Sequence, residues 1–222
     1  LIGFGGKIMS NSKEVSKSTI ERLPKYLRYL IEIDKMGAVD ISSTTIAEHF
    51  NFNPIQVRKD IAQVSKKSGK PKTGFKVKEL IKDIQNFLGY NNYSEAVIVG
   101  CGGLGKTLMA YTGFLSLGLK IVAAFDSNPA LFGLEVNGLK IHSMEELDAV
   151  INKTSAKIGI ITVPRESAQQ VCDRLIECGI KGIWNFAPLH LVVPSDVAIR
   201  NEDMAASLAV LSYELAAKQK SD

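Results

Sequence analysis

A glycine-rich turn, GCGGLGKT at residues 100–107, restricts the possible folds of this chain more than any other feature. An apolar run typical of a strand precedes it at residues 96–99, and a helical pattern follows at residues 108–117. In nucleotide-binding α/β folds, a strand, a tight glycine turn and a helix follow each other in this order, and the helix N-terminus holds phosphate. The sequence therefore predicts an α/β domain that binds a nucleotide at this turn.

The turn fits two phosphate-binding motifs. As the G-x-G-x-x-G of a dinucleotide-binding turn, its expected cofactor-binding residues are Gly100, Gly102, Gly103, Leu104 and Gly105. Together with Lys106 and Thr107 the same stretch also completes the G-x-x-x-x-G-K-T loop of a nucleotide triphosphatase. The local context does not separate the two, because both motifs lie between a strand and a helix.

Asp126 favours the dinucleotide interpretation. It ends the next apolar run, KIVAAF at residues 120–125, and lies 21 positions after Gly105. A carboxylate at this place binds the adenosine ribose hydroxyls in a Rossmann domain, and its charge repels the 2′-phosphate of NADP. A triphosphatase lacks a candidate for its catalytic base or arginine finger in the rest of the chain. It remains an alternative, as does a coenzyme A binder on the same sheet.

The remaining C-terminal part alternates between strand and helix patterns. Strands are expected at residues 140–141, 158–163 and 182–186, with helices at 144–151 and 166–178 between them. This alternation predicts a doubly wound parallel sheet with helices on both faces. Ligands bind at the carboxyl ends of such strands. The further residues expected there are Thr162, Val163, Pro164, Asn185, Phe186, Ala187 and Pro188.

Charge divides the chain into two different halves. Residues 1–90 carry 16 Lys and Arg against 9 Asp and Glu, a net charge of +7, whereas residues 91–222 carry 11 against 14, a net charge of −3. A basic half beside a mildly acidic one predicts a module for a polyanion such as DNA attached to a second domain.

The basic half has the pattern of a helix-turn-helix. Helices are expected at residues 18–36, where Ser18 and Glu21 form a capping box, and at 43–50. Asn53 and Pro54 then supply the N-cap and first position of a third, basic helix that runs to about residue 66. Two short helices in succession, the second of them basic, are typical of DNA-binding proteins.

The candidate DNA contacts lie in two places. They are basic and amide side chains on the third helix, and lysines in a Gly- and Pro-containing wing at residues 67–76. They are Gln56, Arg58, Lys59, Gln63, Lys66, Lys67, Lys70 and Lys72. The lysines and arginine would contact phosphate, and Lys59 and Gln63 are the expected base readers.

Other classes of protein are disfavoured. The apolar runs are strand-sized and far shorter than the roughly 20 residues that span a bilayer. The three cysteines match neither a disulfide framework nor a zinc site, which predicts a cytoplasmic protein without metal. Residues 1–9 begin without Met, are too short for a signal peptide and are expected to lie outside the fold.

A winged helix followed by an NAD-type Rossmann domain resembles the Rex family of redox-sensing transcriptional repressors. The stretches that carry the resemblance are TIERLPKYLRYL at 19–30, VRKD at 57–60, VAAFDSNP at 122–129, IITVPRESAQ at 160–169 and GIKGIWNFAP at 179–188. It implies a winged-helix domain at residues 10–85 and a Rossmann domain for NADH and NAD, which also forms the dimer, at 86–222. It also implies a homodimer that binds a palindromic operator when NADH is scarce and leaves it when NADH binds.

The resemblance also implies roles for individual residues. The nicotinamide surroundings would be Tyr111, Thr162, Pro164, Asn185 and Ala187. A last helix, at residues 203–217, would be exchanged between subunits. A salt bridge between Arg22 and Asp203, with Tyr111 as competing partner, would exist in one state only. One stretch, IAQVSKKSGKPKTGF at residues 61–75, departs from the family pattern and has one residue more. Two interpretations stay open: the protein reads a different operator, or its wing contacts phosphate more strongly through Lys66, Lys67, Lys70 and Lys72.

The alternative from another class is an NAD-dependent oxidoreductase with a basic appendage. Such an enzyme needs a proton donor near the nicotinamide. His142 and His190 are the histidines of this half, and His190, after NFAPL, is the better candidate. A single His after a strand is more often structural.

Overall fold

The structure is a computed structural model that describes residues 15–65, 74–90 and 94–219. It divides into two compact units, residues 1–91 and 92–222. The division follows the helix Val77–Leu88, whose Leu80 and Ile84 are buried in the core of the first unit. The boundary predicted at residue 85 would cut this helix.

The described residues of the first unit form four helices and a short strand pair. Its elements are α1 (Lys17–Lys35), β1 (Asp40–Ile41), α2 (Ser43–Phe50), α3 (Pro54–Val64), β2 (Phe75–Lys76) and α4 (Val77–Leu88). β1 and β2 pair antiparallel. The segment between α3 and β2, which contains most of the expected wing, falls on residues 66–73, outside the described ranges.

Side-chain caps fix where the helices of this unit begin. Asn53 accepts the N–H of Ile55 at 2.8 Å, and Pro54 is the first residue of α3, as predicted. The capping box expected at Ser18 is wrong. α1 begins one residue earlier, because Ser16 accepts the N–H of Thr19 at 3.2 Å.

The second unit is a doubly wound sheet. Its strands are β3 (Ser94–Val99), β4 (Leu119–Asp126), β5 (Glu135–Val136), β6 (Leu139–Ser143), β7 (Ile158–Ile161), β8 (Gly182–Asn185) and β9 (Ala198–Asn201). They lie in the order β5-β6-β4-β3-β7-β8-β9, and every neighbouring pair is parallel except β5 with β6. The six parallel strands have the 3-2-1-4-5-6 order of a Rossmann fold. The predicted α/β class, with a helix-turn-helix unit before a doubly wound sheet, is confirmed.

Helices cover both faces of this sheet. They are α5 (Gly103–Ala110), α6 (Gly113–Ser116), α7 (Leu147–Ile151) and α8 (Arg165–Glu177), and a further helix, α9 (Met204–Gln219), follows β9. The two faces follow from the alternation of side chains along β3. Val97 and Val99 pack in one cluster with residues of α7 and α8, whereas Ala96 and Ile98 pack in another with Met109 of α5.

Two local predictions are wrong. The single helix expected at residues 108–117 is two helices, because the backbone of Tyr111 is extended, with φ −78° and ψ 102°, and ends α5. The strand expected at 158–163 ends at Ile161, so that Thr162 begins the loop. The strand β9 and the antiparallel edge strand β5 were not predicted, since both are short.

α9 is exposed along its length in the described chain. None of its residues is buried, and its large apolar side chains are exposed: Met204, Leu208, Val210, Leu211, Tyr213 and Leu215. Among the described residues, no helix combines the length and the apolar character needed to span a membrane.

Candidate functional site

A cleft of about 740 Å³ lies where the strand order reverses, at the carboxyl ends of β3, β4 and β7. This is the place at which doubly wound sheets bind their ligands. The residues around it are Val99, Gly100, Gly102, Asp126, Ser127, Met144, Thr162, Val163, Pro164, Ser167, Gln170, Val171 and Arg174. Its volume is that of a site for a small-molecule cofactor.

The glycines of the turn have different surroundings. Gly100 has φ +99°, and a Cβ there would lie 2.8 Å from the backbone of Thr162. A Cβ on Gly105 would overlap the carbonyl oxygen of Gly100, so the close approach of α5 to β3 needs a glycine. Gly102 and Gly103 face open space, with no heavy atom within 4 Å of a Cβ. The first and third motif glycines therefore shape the turn, and Gly102 leaves room for a pyrophosphate beside the N-terminus of α5.

Asp126 and Thr162 hold this turn from either side. The Asp126 carboxylate accepts the N–H of Cys101 at 2.6 Å and that of Asn128 at 2.8 Å. The Thr162 hydroxyl lies 2.6 Å from the carbonyl oxygen of Gly100 and donates to it. Each Asp126 oxygen has further acceptor capacity, because a carboxylate has about four lone-pair sites. Asp126 is therefore able to accept ribose hydroxyls while it fixes the turn.

Cys101, in the middle of the turn, is a packing residue and not a nucleophile. Its side chain is buried, and its Sγ donates to the carbonyl oxygen of Phe125 at 3.4 Å. Burial, with the nearby Asp126 charge, raises the pKa of this thiol to about 11. A thiol with such a pKa is protonated at neutral pH.

Six of the predicted cofactor residues meet at the cleft. Gly100, Gly102, Asp126, Thr162, Val163 and Pro164 line it. Gly103, Leu104 and Gly105 form the first turn of α5.

Three residues expected near the nicotinamide do not line this cleft. Tyr111 follows α5, is 58% exposed and packs edge-on against Phe114. Asn185 and Ala187 are buried. The Asn185 amide donates to the carbonyl oxygen of Leu189 at 2.7 Å, so this side chain holds the loop after β8.

One wall of the cleft was not predicted from the sequence. Ser167, Gln170, Val171 and Arg174 come from α8 at spacing i, i+3, i+4 and i+7, with Ser127 and Met144 from the loops after β4 and β6. The spacing on α8 was visible in the sequence, since it places one helix face beside the loop that starts at Thr162.

The helix-turn-helix unit presents part of the expected DNA-contacting set. Arg58, Lys59 and Gln63 are exposed on α3. Gln56 is engaged within the protein, because its amide donates to Asp60 at 2.9 Å. The remaining candidates, Lys66, Lys67, Lys70 and Lys72, lie outside the described residues.

Arg22, expected in a switch with Asp203, has a different partner in this structure. Its Nε lies 2.7 Å from Oδ2 of Asp60 and its Nη2 lies 2.8 Å from Oδ1, a bidentate pair between α1 and α3. The Asp60 pairing raises the pKa of Arg22. Asp203 accepts the N–H of Ala206 at 2.8 Å at the start of α9.

Three aromatic rings, those of Tyr111, Phe114 and Trp184, are in contact one after the other and end close to the start of α9. The ring of Phe114 lies 4.9 Å from that of Tyr111 and 5.6 Å from that of Trp184, measured between centroids. The Trp184 indole N–H donates to Glu202 at 2.9 Å, one residue before Asp203.

The histidines and the acidic residues do not form a metal centre in the part of the chain that the structure covers. No group of three or more His, Cys, Asp or Glu side chains there could hold an ion. His142 lies 3.3 Å from Glu146, four residues on, and His190 is exposed.

Comparison with protein families matches each unit separately. Residues 14–62 match the family described as "Putative DNA-binding protein N-terminus", and residues 91–189 match "CoA binding domain". The first covers α1 to α3, and the second covers the sheet up to the loop after β8.

Relatives with a known name match the chain as a whole. A redox-sensing transcriptional repressor Rex of Clostridium botulinum is 41% identical over 207 residues, 93% of this chain and 98% of the relative. One of Clostridium beijerinckii is also 41% identical, with the same coverage. A crystal structure of the Rex-family repressor RSP with NAD+ and operator DNA has a TM-score of 0.86 at 35% identity, covering 94% of this chain and 95% of that one. RSP in complex with NADH has a TM-score of 0.84, covering 94% and 97%.

These similarities exclude the oxidoreductase and triphosphatase alternatives as the main function, because the relatives are transcription regulators and not enzymes. Identity of 41% over 93% of the chain, together with a TM-score of 0.86 to the Rex-family repressor RSP, shows that this chain belongs to the Rex family of redox-sensing transcriptional repressors.

Proposed function

We propose that this chain is a cytoplasmic repressor that binds a palindromic operator as a homodimer and leaves it when NADH binds. The observation that carries the proposal is the cleft at the strand reversal, with its open glycine turn and Asp126, in a chain that also has an exposed basic helix α3. One unit supplies a site for a dinucleotide and the other a surface for DNA.

The cleft fits NADH and NAD better than their phosphorylated forms. The pyrophosphate would lie over Gly102 and Gly103, where backbone N–H groups at the start of α5 attract negative charge. Asp126 would accept the adenosine ribose hydroxyls and repel a 2′-phosphate. The nicotinamide supplies the difference between the two redox states, and Tyr111, Thr162, Pro164, Asn185 and Ala187 are its proposed surroundings.

The DNA would meet α3 and the basic segment after it. Lys59 and Gln63 are the proposed base readers, and Arg58, Lys66, Lys67, Lys70 and Lys72 the proposed phosphate contacts. Phosphate contacts give most of the affinity and make it dependent on salt. The relative RSP has been crystallised with operator DNA, which supports the proposed DNA binding of this chain.

The dimer and the switch are the remaining parts of the proposal. α9, with its exposed apolar side chains, is the proposed exchanged helix. The proposed switch consists of Arg22, Tyr111 and Asp203. Asp203 would form a salt bridge with Arg22 in one state only, with Tyr111 as the competing partner. A ligand shifts such an equilibrium only through contacts that differ between the states.

The test is fluorescence anisotropy of the full chain on a palindromic Rex-type duplex at fixed salt, titrated separately with NADH, NAD and NADPH. We expect NADH to release the duplex at much lower concentration than the other two. A complex that NADH leaves intact would contradict the proposal.

Asp126→Asn tests the cofactor site in the same assay. We expect it to weaken NADH binding by about 10-fold to 100-fold, because a hydrogen bond to a charged group contributes about 1.5–3 kcal/mol, and to reduce the discrimination against NADPH. Asp196→Asn is the matched control, since Asp196 pairs with Lys181 on the surface of the same unit and does not line the cleft. Equal behaviour of the two variants would exclude Asp126 from the site.

A further inference from the structure

A buried carboxylate on α3 is bound by side chains from two helices. Asp60 is fully buried, and its donors are Thr19 at 3.0 Å, Arg22 at 2.7 and 2.8 Å, the Tyr26 hydroxyl at 2.8 Å and the Gln56 amide at 2.9 Å. Three of these residues, Thr19, Arg22 and Tyr26, share one face of α1 at spacing i, i+3 and i+7. We call Asp60 and these four residues the Asp60 cluster.

The Asp60 carboxylate remains charged inside the core of the unit. Burial raises the pKa of Asp60, but the hydrogen bonds from Arg22, Tyr26, Gln56 and Thr19 outweigh this effect and hold it below its usual value. A buried charge without partners is strongly destabilising. Here every bond depends on the orientation of the carboxylate, and the forked Arg22 contact fixes a plane as well as a distance.

The cluster therefore determines how α3 is rotated about its axis. Lys59 precedes Asp60 in sequence, so its side chain points about 100° away from that of Asp60 around the helix. Gln63 lies four residues after Lys59, about one turn, and therefore shares the face of Lys59. Both are exposed. A rotation of α3 that breaks the Asp60 bonds would move the tips of Lys59 and Gln63 across a DNA groove. Hydrogen bonds to base edges are sensitive to such a shift, whereas contacts of flexible lysines with phosphate tolerate it.

We propose that Asp60 is a positioning residue for operator reading, which ties α3 to α1 and thereby sets the sequence selectivity of the protein without touching DNA. This inference rests on the proposed DNA binding of α3. It does not depend on release by NADH.

The experiment compares Asp60→Asn with the full wild-type chain on two duplexes of equal length and composition. One is the site that the wild-type chain selects from a library of random duplexes, and the other is a scrambled sequence. Affinities are measured by anisotropy without nucleotide at several salt concentrations. We expect Asp60→Asn to weaken binding of the selected site by about 10-fold or more and to leave both the affinity for the scrambled duplex and the salt slope unchanged.

Two further variants separate positioning from folding. Tyr26→Phe removes one donor of the Asp60 cluster and keeps the buried ring. We therefore expect it to lower the ratio of the affinity for the selected duplex to that for the scrambled duplex by less than Asp60→Asn does. Asp40→Asn is the matched control, because Asp40 forms an exposed pair with Lys76 in the same unit and lies outside the cluster. Thermal unfolding establishes that each variant is folded at the assay temperature. If Asp60→Asn does not fold, the Tyr26→Phe ratio decides.

The proposal is overturned if the folded variants weaken binding to both duplexes by the same factor or change neither affinity. A wild-type chain that prefers no duplex would overturn it as well, since there would be no operator reading to position. Failure of NADH to release the duplex would overturn the proposed redox response alone, because the selectivity ratio is measured without nucleotide.

Discussion

At the scale of single residues, Gly102 and Gly105 separate the binding and the folding roles of the turn. We expect Gly102→Ala to leave the thermal stability of the second unit unchanged and to weaken NADH binding, because the added methyl group projects into open space beside the expected pyrophosphate. Gly105→Ala should lower the melting temperature, since its methyl group would overlap the backbone at Gly100. Thermal unfolding and NADH fluorescence titration measure the two effects.

Each of these variants is the control for the other, because both add one methyl group to the same turn. The assignment of roles would be wrong if Gly102→Ala destabilised the unit as much as Gly105→Ala did. A destabilisation of about 1–3 kcal/mol is the usual size for an overpacked buried position.

Which residues the sequence reveals depends on how far their partners lie along the chain. Gly100, Gly105 and Asp126 were predictable, because a local motif and one strand later contain the whole signal. Asp60 was not, although it lies in a stretch that carries the family resemblance: its ion-pair partner Arg22 is 38 residues away, on another helix. The bond from Gln56 to Asp60 was not predicted either, since the helical position of Gln56 alone does not show it.

At the scale of elements, α9 is the part of the second unit that the described chain leaves uncovered. We expect Leu208→Glu with Leu211→Glu to shift the protein from dimer to monomer in analytical ultracentrifugation. Both side chains are exposed in the single chain, and burying a charge at an apolar interface opposes association.

Lys218→Glu, near the end of the same helix, controls for the change of charge. A double variant that stays dimeric at the concentration at which wild type is dimeric would exclude α9 as the exchanged helix. The circular dichroism of both variants should retain the helix signal, because Glu is a good helix former.

Elements with strong periodicity were predictable, and short ones were not. α1, α2, α3 and α8 follow from apolar spacing in the sequence, and the start of α3 follows from its Asn53 cap as well. The break at Tyr111 and the strand β9 were missed, because a four-residue strand and a two-residue interruption contain too few positions for a periodic signal. The proposed switch of Arg22 from Asp60 to Asp203 also concerns whole elements. Arg22 forms a bidentate pair with Asp60 inside the first unit, so a salt bridge with Asp203 would have to compete with this pair.

At the scale of the whole molecule, charge separates the two tasks of the chain. Residues 1–90 have a net charge of +7 and residues 91–222 one of −3. We expect Lys70→Gln with Lys72→Gln to reduce the slope of log affinity against log salt by about 4, since the two subunits of the dimer together lose four phosphate contacts and each contributes roughly 0.9 to this slope. Anisotropy on a scrambled duplex between low and moderate salt measures it.

Lys153→Gln with Lys157→Gln removes the same charge from exposed positions in the second unit and is the matched control. We expect this control to leave the slope unchanged. Equal slopes for the two double variants would show that the segment after α3 does not contact phosphate, and that the departure at residues 61–75 has another purpose.

The single tryptophan of this chain gives the protein a built-in optical probe. Trp184 lies between the ring of Phe114 and the carboxylate of Glu202, next to the start of α9. Indole emission changes colour with polarity and hydrogen bonding, and reduced nicotinamide absorbs light in the range in which indole emits. We therefore expect unlabelled protein to report cofactor binding as quenching with energy transfer, and a change at the bond between Trp184 and Glu202 as a spectral shift. The order of these two signals in a stopped-flow trace would give the sequence of steps in the redox response.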